Sequence, residues 1–435
     1  MSLRDYIADL QRSGKLAVVR EPVSKTYEIA GILKKLEPRP VLFEKVKESE
    51  HRVIGNLFCG KGPFAEYLRI SPPQIIATMA DAIAHPVAPP AWKGGTPPCQ
   101  EVVELKPNLD SLPILFHCEG DGGNYISSGV FLAKHPLHGQ NADFHRAMQF
   151  SKTEMAVRVV QGRHFDVFLK DRRSLDVAVC IGLPPNILAA AATSVELGFD
   201  ELTIACALES FAVAPAQTVD ALVPAEAEFV LEGTVHYERR YAEGPFVDLT
   251  ETQDIIRNEP VFEVKAVTHR RDAIWQALLP GALEHKLLMG MPREPTIFQA
   301  VNRVVKCLDV HVNPCGCSWL HAIVQIEKLH EDDGKKAIAA AFTGHRSCKH
   351  VFVVDRDIDI YDPRTVEWAM ATRFQGDADL VVLPRAPGSS LDPSSEPVTH
   401  NTCRVGYDLT KPLETKGKKF EKTPFPDVDL KKYGV

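Results

Sequence analysis

None of the ten cysteines in this 435-residue chain is spaced as C-x-x-C. A redox motif of that kind is therefore missing, and no disulfide framework is implied; scattered cysteines in a reducing compartment serve mostly as small apolar core residues. One group, His311, Cys315, Cys317 and His321, has residue types that suit zinc. Only one residue separates its cysteines, fewer than in the usual zinc knuckle, and the segment reads as extended with alternating faces. No secretory leader is expected: the opening MSLRDYIADLQRSGKL has no apolar core, and no later window approaches the roughly 18 uninterrupted apolar residues of a membrane span. The expected location is the cytoplasm. Nor is there an excess of positive charge. Fifty Lys and Arg against 57 Asp and Glu leave a net charge of −7, which disfavours nucleic acid or anionic lipid as a partner. What is present is the composition of a globular protein, 45% hydrophobic and 25% charged, which excludes a disordered or collagen-like chain.

At a soft prior of about 150 residues per domain the length calls for roughly three modules. Ser2 can cap a helix whose face is Leu3, Tyr6, Ile7 and Leu10, with Gly14 as its left-handed stop. A second helix is expected over Tyr27 to Leu36, strands at VLFEKV and RVIGNLF, and a helix from Pro73 to Ala84. The Pro- and Gly-rich HPVAPPAWKGGTPP then reads as a linker, so residues 1–105 form an α/β module. From 106 to 298 strand-like runs dominate (MAVRVV, VAVCIG, EFVLEGTVHYE, VFEVKAVTH, AIWQALL), interrupted by helices at PPNILAAAATS and after Asp200-Glu201. A barrel or sandwich with inserted helices fits this pattern. From 299 to 435 the succession HAIVQIEKL, a helix from Lys335 to Phe342, HVFVVD, a helix from Thr365 to Ala371 and DLVVLP is βαβαβ, expected to give a parallel sheet. The stretch from Ala386 onward, basic over KPLETKGKKFEKT, is expected to wrap a surface or a partner subunit.

Chemistry-bearing residues concentrate in the middle module. In Asn141-Ala-Asp-Phe-His-Arg146 an amide oxygen and a guanidinium can address adjacent regions of one cleft. His164 follows a strand, and as a lone residue it fits surface or core. Asp200-Glu201 stands where carboxylates cap a helix. Glu243-Gly-Pro-Phe-Val-Asp248 carries two acids around a Gly-Pro turn after a strand, which suits two carboxylates at a barrel mouth as well as a solvated loop. Asp143, His145, Glu284 and His285 are further polar candidates, and spacing alone does not choose among them.

Ordered blocks along nearly the whole chain resemble the UbiD family of decarboxylases, which use prenylated flavin mononucleotide (FMN). They are VLFEKVK with GNLF, Asn-x4-Arg in NADFHRAMQ, the later His164, DELTIACAL, VPAEAEFVLEG, EGPFVD, VTHRRDAIWQ and CRVGYDLTKP. The resemblance implies a central split β-barrel like that of flavin reductases between two α/β modules. It also implies a metal, Mn²⁺ or Mg²⁺, held by Asn141, His164 and Glu201 and binding the flavin phosphate, a mixed oxygen and nitrogen shell suited to such ions. A K⁺ ion near the flavin is common in the family. Arg404 stands where the family has a phosphate-approaching Lys, a fork in place of a point charge. The family's Glu-Arg-acid triad falls on Glu243, Arg146 and Asp248: Arg146 orients the substrate carboxylate, Glu243 holds Arg146, and Asp248 is the proton donor. The resemblance further implies that the prenylated flavin, as an azomethine ylide, would add across an unsaturated bond beside the carboxylate and act as electron sink while carbon dioxide leaves. A flavin prenyltransferase would supply the cofactor, and the assembly would be a homodimer or homohexamer.

The chain departs from the family pattern at Val247, where glycine is usual, and at Thr250-Glu251, where Thr-Gly is usual. It is also shorter than the fungal and ubiquinone-pathway members, which implies trimmed loops. The leading expectation is reversible, non-oxidative decarboxylation of an aromatic, heteroaromatic or α,β-unsaturated acid. The alternatives are an isoprenoid-pathway decarboxylase of a phosphorylated unsaturated acid, a non-catalytic subunit of a multi-protein carboxylase, and a conventional flavin reductase.

Overall fold

The computed structural model describes residues 1–433, which group into two compact units. The first contains 1–296, 312–320 and 389–400; the second contains 297–311, 321–388 and the residues after 400.

The first unit opens with helix Leu3–Arg12, started by a capping box in which Ser2 and Asp5 exchange backbone and side-chain hydrogen bonds. Its expected apolar face, Leu3, Tyr6, Ile7 and Leu10, is buried. Beside it lies a four-stranded sheet in the order Ala17–Val19, Val41–Phe43, Arg52–Gly55 and Ile274–Gln276. The last strand, expected to belong with the β-rich middle of the chain, instead pairs in parallel with Arg52–Gly55. Three residues of strand carry no mark of which sheet will accept them.

The dominant element is a nine-stranded sheet that curls as a half barrel. Its long central pair is Phe229–Glu243 against Arg257–His269, antiparallel, with a register shift at Gly233. Both faces of the sheet are covered. Along Val130–His135, Phe131 and Ala133 enter one apolar core, while Val130 and Leu132 enter a second one containing the N-terminal helix and helices Pro185–Ala191 and Glu201–Leu208. The same alternation recurs on Ser174–Ile181, with Val177 and Val179 on one side and Ala178 and Cys180 on the other. A helix not foreseen from sequence, His164–Arg172, starts at the candidate ligand His164 itself.

The second unit is a five-stranded sheet in the order Cys307–Val312, His321–Ile326, His350–Asp355, Asn401–Asp408 and Leu380–Pro387. His321–Ile326, His350–Asp355 and Asn401–Asp408 run parallel. DLVVLP, expected as the third parallel strand, is instead an antiparallel edge strand on Asn401–Asp408. The segment expected to wrap a surface thus supplies an interior strand. Packing explains the exchange. Gly406 lies so close to helix Asp333–Gly344 that a Cβ there would sit 2.2 Å from the Ile338 side chain, whereas Leu380, Val382 and Leu383 tolerate exposure at the edge. No helix among the described residues is long and apolar enough to cross a membrane.

Candidate active site

The sheet brings together residues far apart in sequence around one guanidinium. Arg146 lies between strands Gly139–Phe144 and Ala147–Gln149. Its Nε and Nη2 donate to the two oxygens of Glu243 at 2.8 and 3.1 Å, its Nη1 to Asp248 Oδ2 at 2.5 Å, and its Nη2 also to Asp254 Oδ2 at 2.8 Å. The Phe246 ring lies 4.7 Å from the guanidinium carbon. Burial works against the charge of Arg146, but Glu243, Asp248 and Asp254 outweigh it and raise its pKa. Glu243 ends strand Phe229–Glu243, is fully buried, and also accepts from the Tyr125 hydroxyl at 3.0 Å.

After Glu243 the chain turns through Gly244, at φ +104, where a side chain would collide with the Ile255 carbonyl. A small hairpin follows, Phe246–Val247 against Gln253–Asp254, with Phe246 opposite Asp254. Asp248 begins its loop. One Asp248 oxygen accepts from Arg146 and the other from the Leu249 amide at 2.6 Å. The hairpin is clamped from outside by segment 117–122. Asp121 accepts from the Val247 amide at 3.1 Å, the Gly122 amide donates to the Pro245 carbonyl at 2.7 Å, and a Cβ on Gly122 would lie 2.2 Å from the Gly244 oxygen. The unusual Val247 therefore still presents its backbone to a buried acceptor.

The ligand candidates also converge. His164 Nδ1 is 3.2 Å from Asn141 Oδ1 and 3.8 Å from Glu201 Oε1. Glu201 is the first residue of its helix, capped by Asp200, and accepts from the Ala142 amide at 2.8 Å. Burial pushes its carboxyl up to about 8 despite that bond, while burial lowers His164 towards the neutral imidazole. Asn141 Nδ2 is buried with no hydrogen-bond partner among the described residues. Among those residues no group of three or more His, Cys, Asp and Glu gathers for a metal; this trio contains two such side chains and an amide. Arg404 lies on Asn401–Asp408 in the second unit, donating to the carbonyls of Arg346 and Pro387.

The other candidates separate. Asp143 and His145 pair with each other at 2.9 Å. His285 accepts from the Gly281 amide at 3.0 Å and feels the charges of Asp248 and Arg146, with burial lowering its pKa. Its neighbour Glu284 is structural: it is 1% exposed and accepts from the Phe58 amide at 3.1 Å, tying down the GNLF turn. Burial raises Glu284 from 4.5 to about 8. Because the folded state holds this proton more tightly than the unfolded state, Glu284 makes no stability loss below about pH 4.5. Between that pH and about 8 it lowers stability by up to about 1.4 kcal/mol per pH unit. Glu284→Gln should therefore gain a few kcal/mol over the native chain at pH 8 and little at pH 4.5. Urea unfolding at the two pH values checks this, and a pH-independent difference would contradict it.

Asp254 and Tyr125 are not among the residues to which the sequence pattern points. Asp254 was legible in principle, since a Gly-Pro turn followed by a two-residue hairpin sets it opposite Phe246. Tyr125 lies on the edge strand Asn124–Ile126, which pairs with Ala147–Gln149, and local pattern holds no trace of its bond to Glu243.

Family models for the 3-octaprenyl-4-hydroxybenzoate carboxy-lyase N-terminal, Rift-related and C-terminal domains match residues 7–83, 92–283 and 286–409. Curated relatives include anhydromevalonate phosphate decarboxylase of Methanocaldococcus jannaschii, 39% identical over 94% of this chain and 97% of that protein. Another is the Methanosarcina mazei protein of the same name, 39% identical over 98% and 100%. Among solved structures, the UbiD-class enzyme HmfF of Pelotomaculum thermopropionicum in complex with FMN superposes with a TM-score of 0.95, covering 100% of both chains at 35% identity. With three consecutive domain models matched and the Glu-Arg-acid cluster assembled on the expected fold, the chain belongs to the UbiD family of carboxy-lyases.

Proposed function

We propose that the protein decarboxylates a phosphorylated α,β-unsaturated carboxylic acid of the anhydromevalonate phosphate kind, with prenylated FMN as cofactor. The observation that carries this reading is that relatives bearing that one name match at 35–39% identity over 93% or more of this chain. Solved structures of the class with FMN and prenylated FMN support the cofactor.

Arg146 binds the substrate carboxylate. Glu243 and Tyr125 fix the guanidinium plane, so the carboxylate meets a pre-oriented donor edge. Asp248, beside Arg146 and 15% exposed at its side chain, is the acid that returns a proton to the carbon losing carbon dioxide. When bound, prenylated FMN supplies the electron sink. Asn141, His164 and Glu201 are the residues that would hold a divalent cation, which would neutralise the flavin phosphate. The fit rests on chemistry present in the fold: a buried carboxylate, an imidazole nitrogen and an amide face one another within 3.2–3.8 Å, and the Asn141 Nδ2 has no hydrogen-bond partner among the described residues.

The test is a comparison of carbon dioxide release from anhydromevalonate phosphate, its dephosphorylated form and 3,4-dihydroxybenzoic acid by holoenzyme. A kcat/KM for the phosphorylated acid about 10²-fold above the dephosphorylated one is expected, as for loss of one or two charge-assisted contacts. A second reading, an aromatic acid, draws on the 27%-identical 3,4-dihydroxybenzoic acid decarboxylase of Klebsiella pneumoniae, TM-score 0.91. Turnover of the dihydroxybenzoate with none of the phosphorylated acid would replace the first reading by the second.

A further inference from the structure

A guanidinium has two edges that present a pair of parallel N–H donors to a carboxylate. On Arg146 the Nε/Nη2 edge is filled by Glu243. The Nη1/Nη2 edge is the remaining place for a second carboxylate to bind through both oxygens. Two different side chains share it, Asp248 on Nη1 and Asp254 on Nη2. The substrate therefore cannot take this edge until one of them leaves.

Asp248, held at its other oxygen by the Leu249 amide, has Arg146 as its cationic partner among the described residues. Asp254 has somewhere to go. The same oxygen that accepts from Arg146 lies 2.5 Å from Arg257 Nη1, and its other oxygen is anchored by the Ile255 amide at 2.9 Å. Giving up the Arg146 contact would therefore still leave Asp254 paired with a cation. Burial alone would raise the pKa of Asp254, but Arg257 and Arg146 outweigh it, so it remains an anion. Around Arg146, three carboxylates face two guanidinium groups, a balance that disfavours a further anion unless one carboxylate withdraws.

We propose that Asp254 is a displaceable place-holder on Arg146: it occupies half of the donor edge meant for the substrate carboxylate and retires to Arg257 when that carboxylate arrives. This makes Asp254 and Arg257 positioning residues that set affinity for the acid group and keep Arg146 paired between turnovers. The proposal rests on the reading of Arg146 as the carboxylate site.

The experiment is calorimetric titration of the cofactor-loaded protein with 3-methylbutanoate, a saturated acid with no double bond to react, and with 3-methylbutanamide as the uncharged control. Asp254→Asn should bind the acid about tenfold more tightly than the native chain, because a competing anion is gone. Arg257→Gln should bind it several-fold more weakly, because Asp254 loses its alternative partner. Neither change should move the amide. A simple structural brace predicts the opposite for Asp254→Asn, and unchanged or weaker acid binding in that variant overturns the place-holder. The two variants shift affinity in opposite directions, so general damage to the fold does not imitate the result. If acid and amide bind alike to the native protein, or the acid binds to neither chain, the carboxylate-site reading itself fails.

Discussion

Asp248→Asn should reduce decarboxylation by about 10³-fold, the usual contribution of a positioned general acid, while flavin and metal content stay at native levels. The substitution conserves shape. The amide oxygen can still accept from Arg146 Nη1 or from the Leu249 amide, the two contacts that hold the native side chain. The hairpin is also clamped independently by Asp121 and Gly122. What the amide cannot do is deliver a proton. The loss should therefore appear in kcat, with incorporation of solvent deuterium into product reduced in parallel. Near-native carbon dioxide release by the variant would remove Asp248 as donor and turn attention to His285, which feels its charge from the adjoining helix.

The first helix, the β-rich middle of the chain and the blocks that resemble a family could be read from the chain because each leaves a local mark. Ser2 and Asp5 cap the first helix, and alternating apolar runs make the curled sheet. Asn141, Arg146, His164, Glu201, Glu243 and Asp248 stand in short blocks that resemble a family. Relations set by long-range pairing left no such mark. Gln253–Asp254 is too short a strand to be seen as one, yet it gives Arg146 a third carboxylate. Ile274–Gln276 looks like any other apolar strand, and only pairing with Arg52–Gly55 takes it into the N-terminal sheet. In the C-terminal sheet, the closeness of Gly406 to Ile338 decided which segment lies inside. Glu284 and His285 were indistinguishable as neighbours, although a helix turns successive side chains by about 100°. One reaches the Phe58 amide and the other the Gly281 amide.

Arg146→Met should be the most damaging single change, lowering stability by about 3–5 kcal/mol and abolishing turnover. Glu243 has no exposed surface, and without Arg146 its remaining side-chain partner among the described residues is the Tyr125 hydroxyl. A carboxylate left that way must either stay charged in a poor solvent or take up a proton, and both cost free energy. The same guanidinium also joins both strands of the small hairpin, through Asp254 on one and Asp248 just beyond the other. Arg146→Lys separates these effects: an ammonium restores the charge but not the fork, so it should recover much of the stability and little of the activity. Adding Glu243→Gln to Arg146→Met removes the stranded charge and should return part of the lost stability. That coupling is measurable as a double-mutant cycle in urea unfolding. If Arg146→Met unfolds within about 0.5 kcal/mol of the native chain, as an ordinary surface substitution would, the guanidinium is not what holds the three carboxylates together.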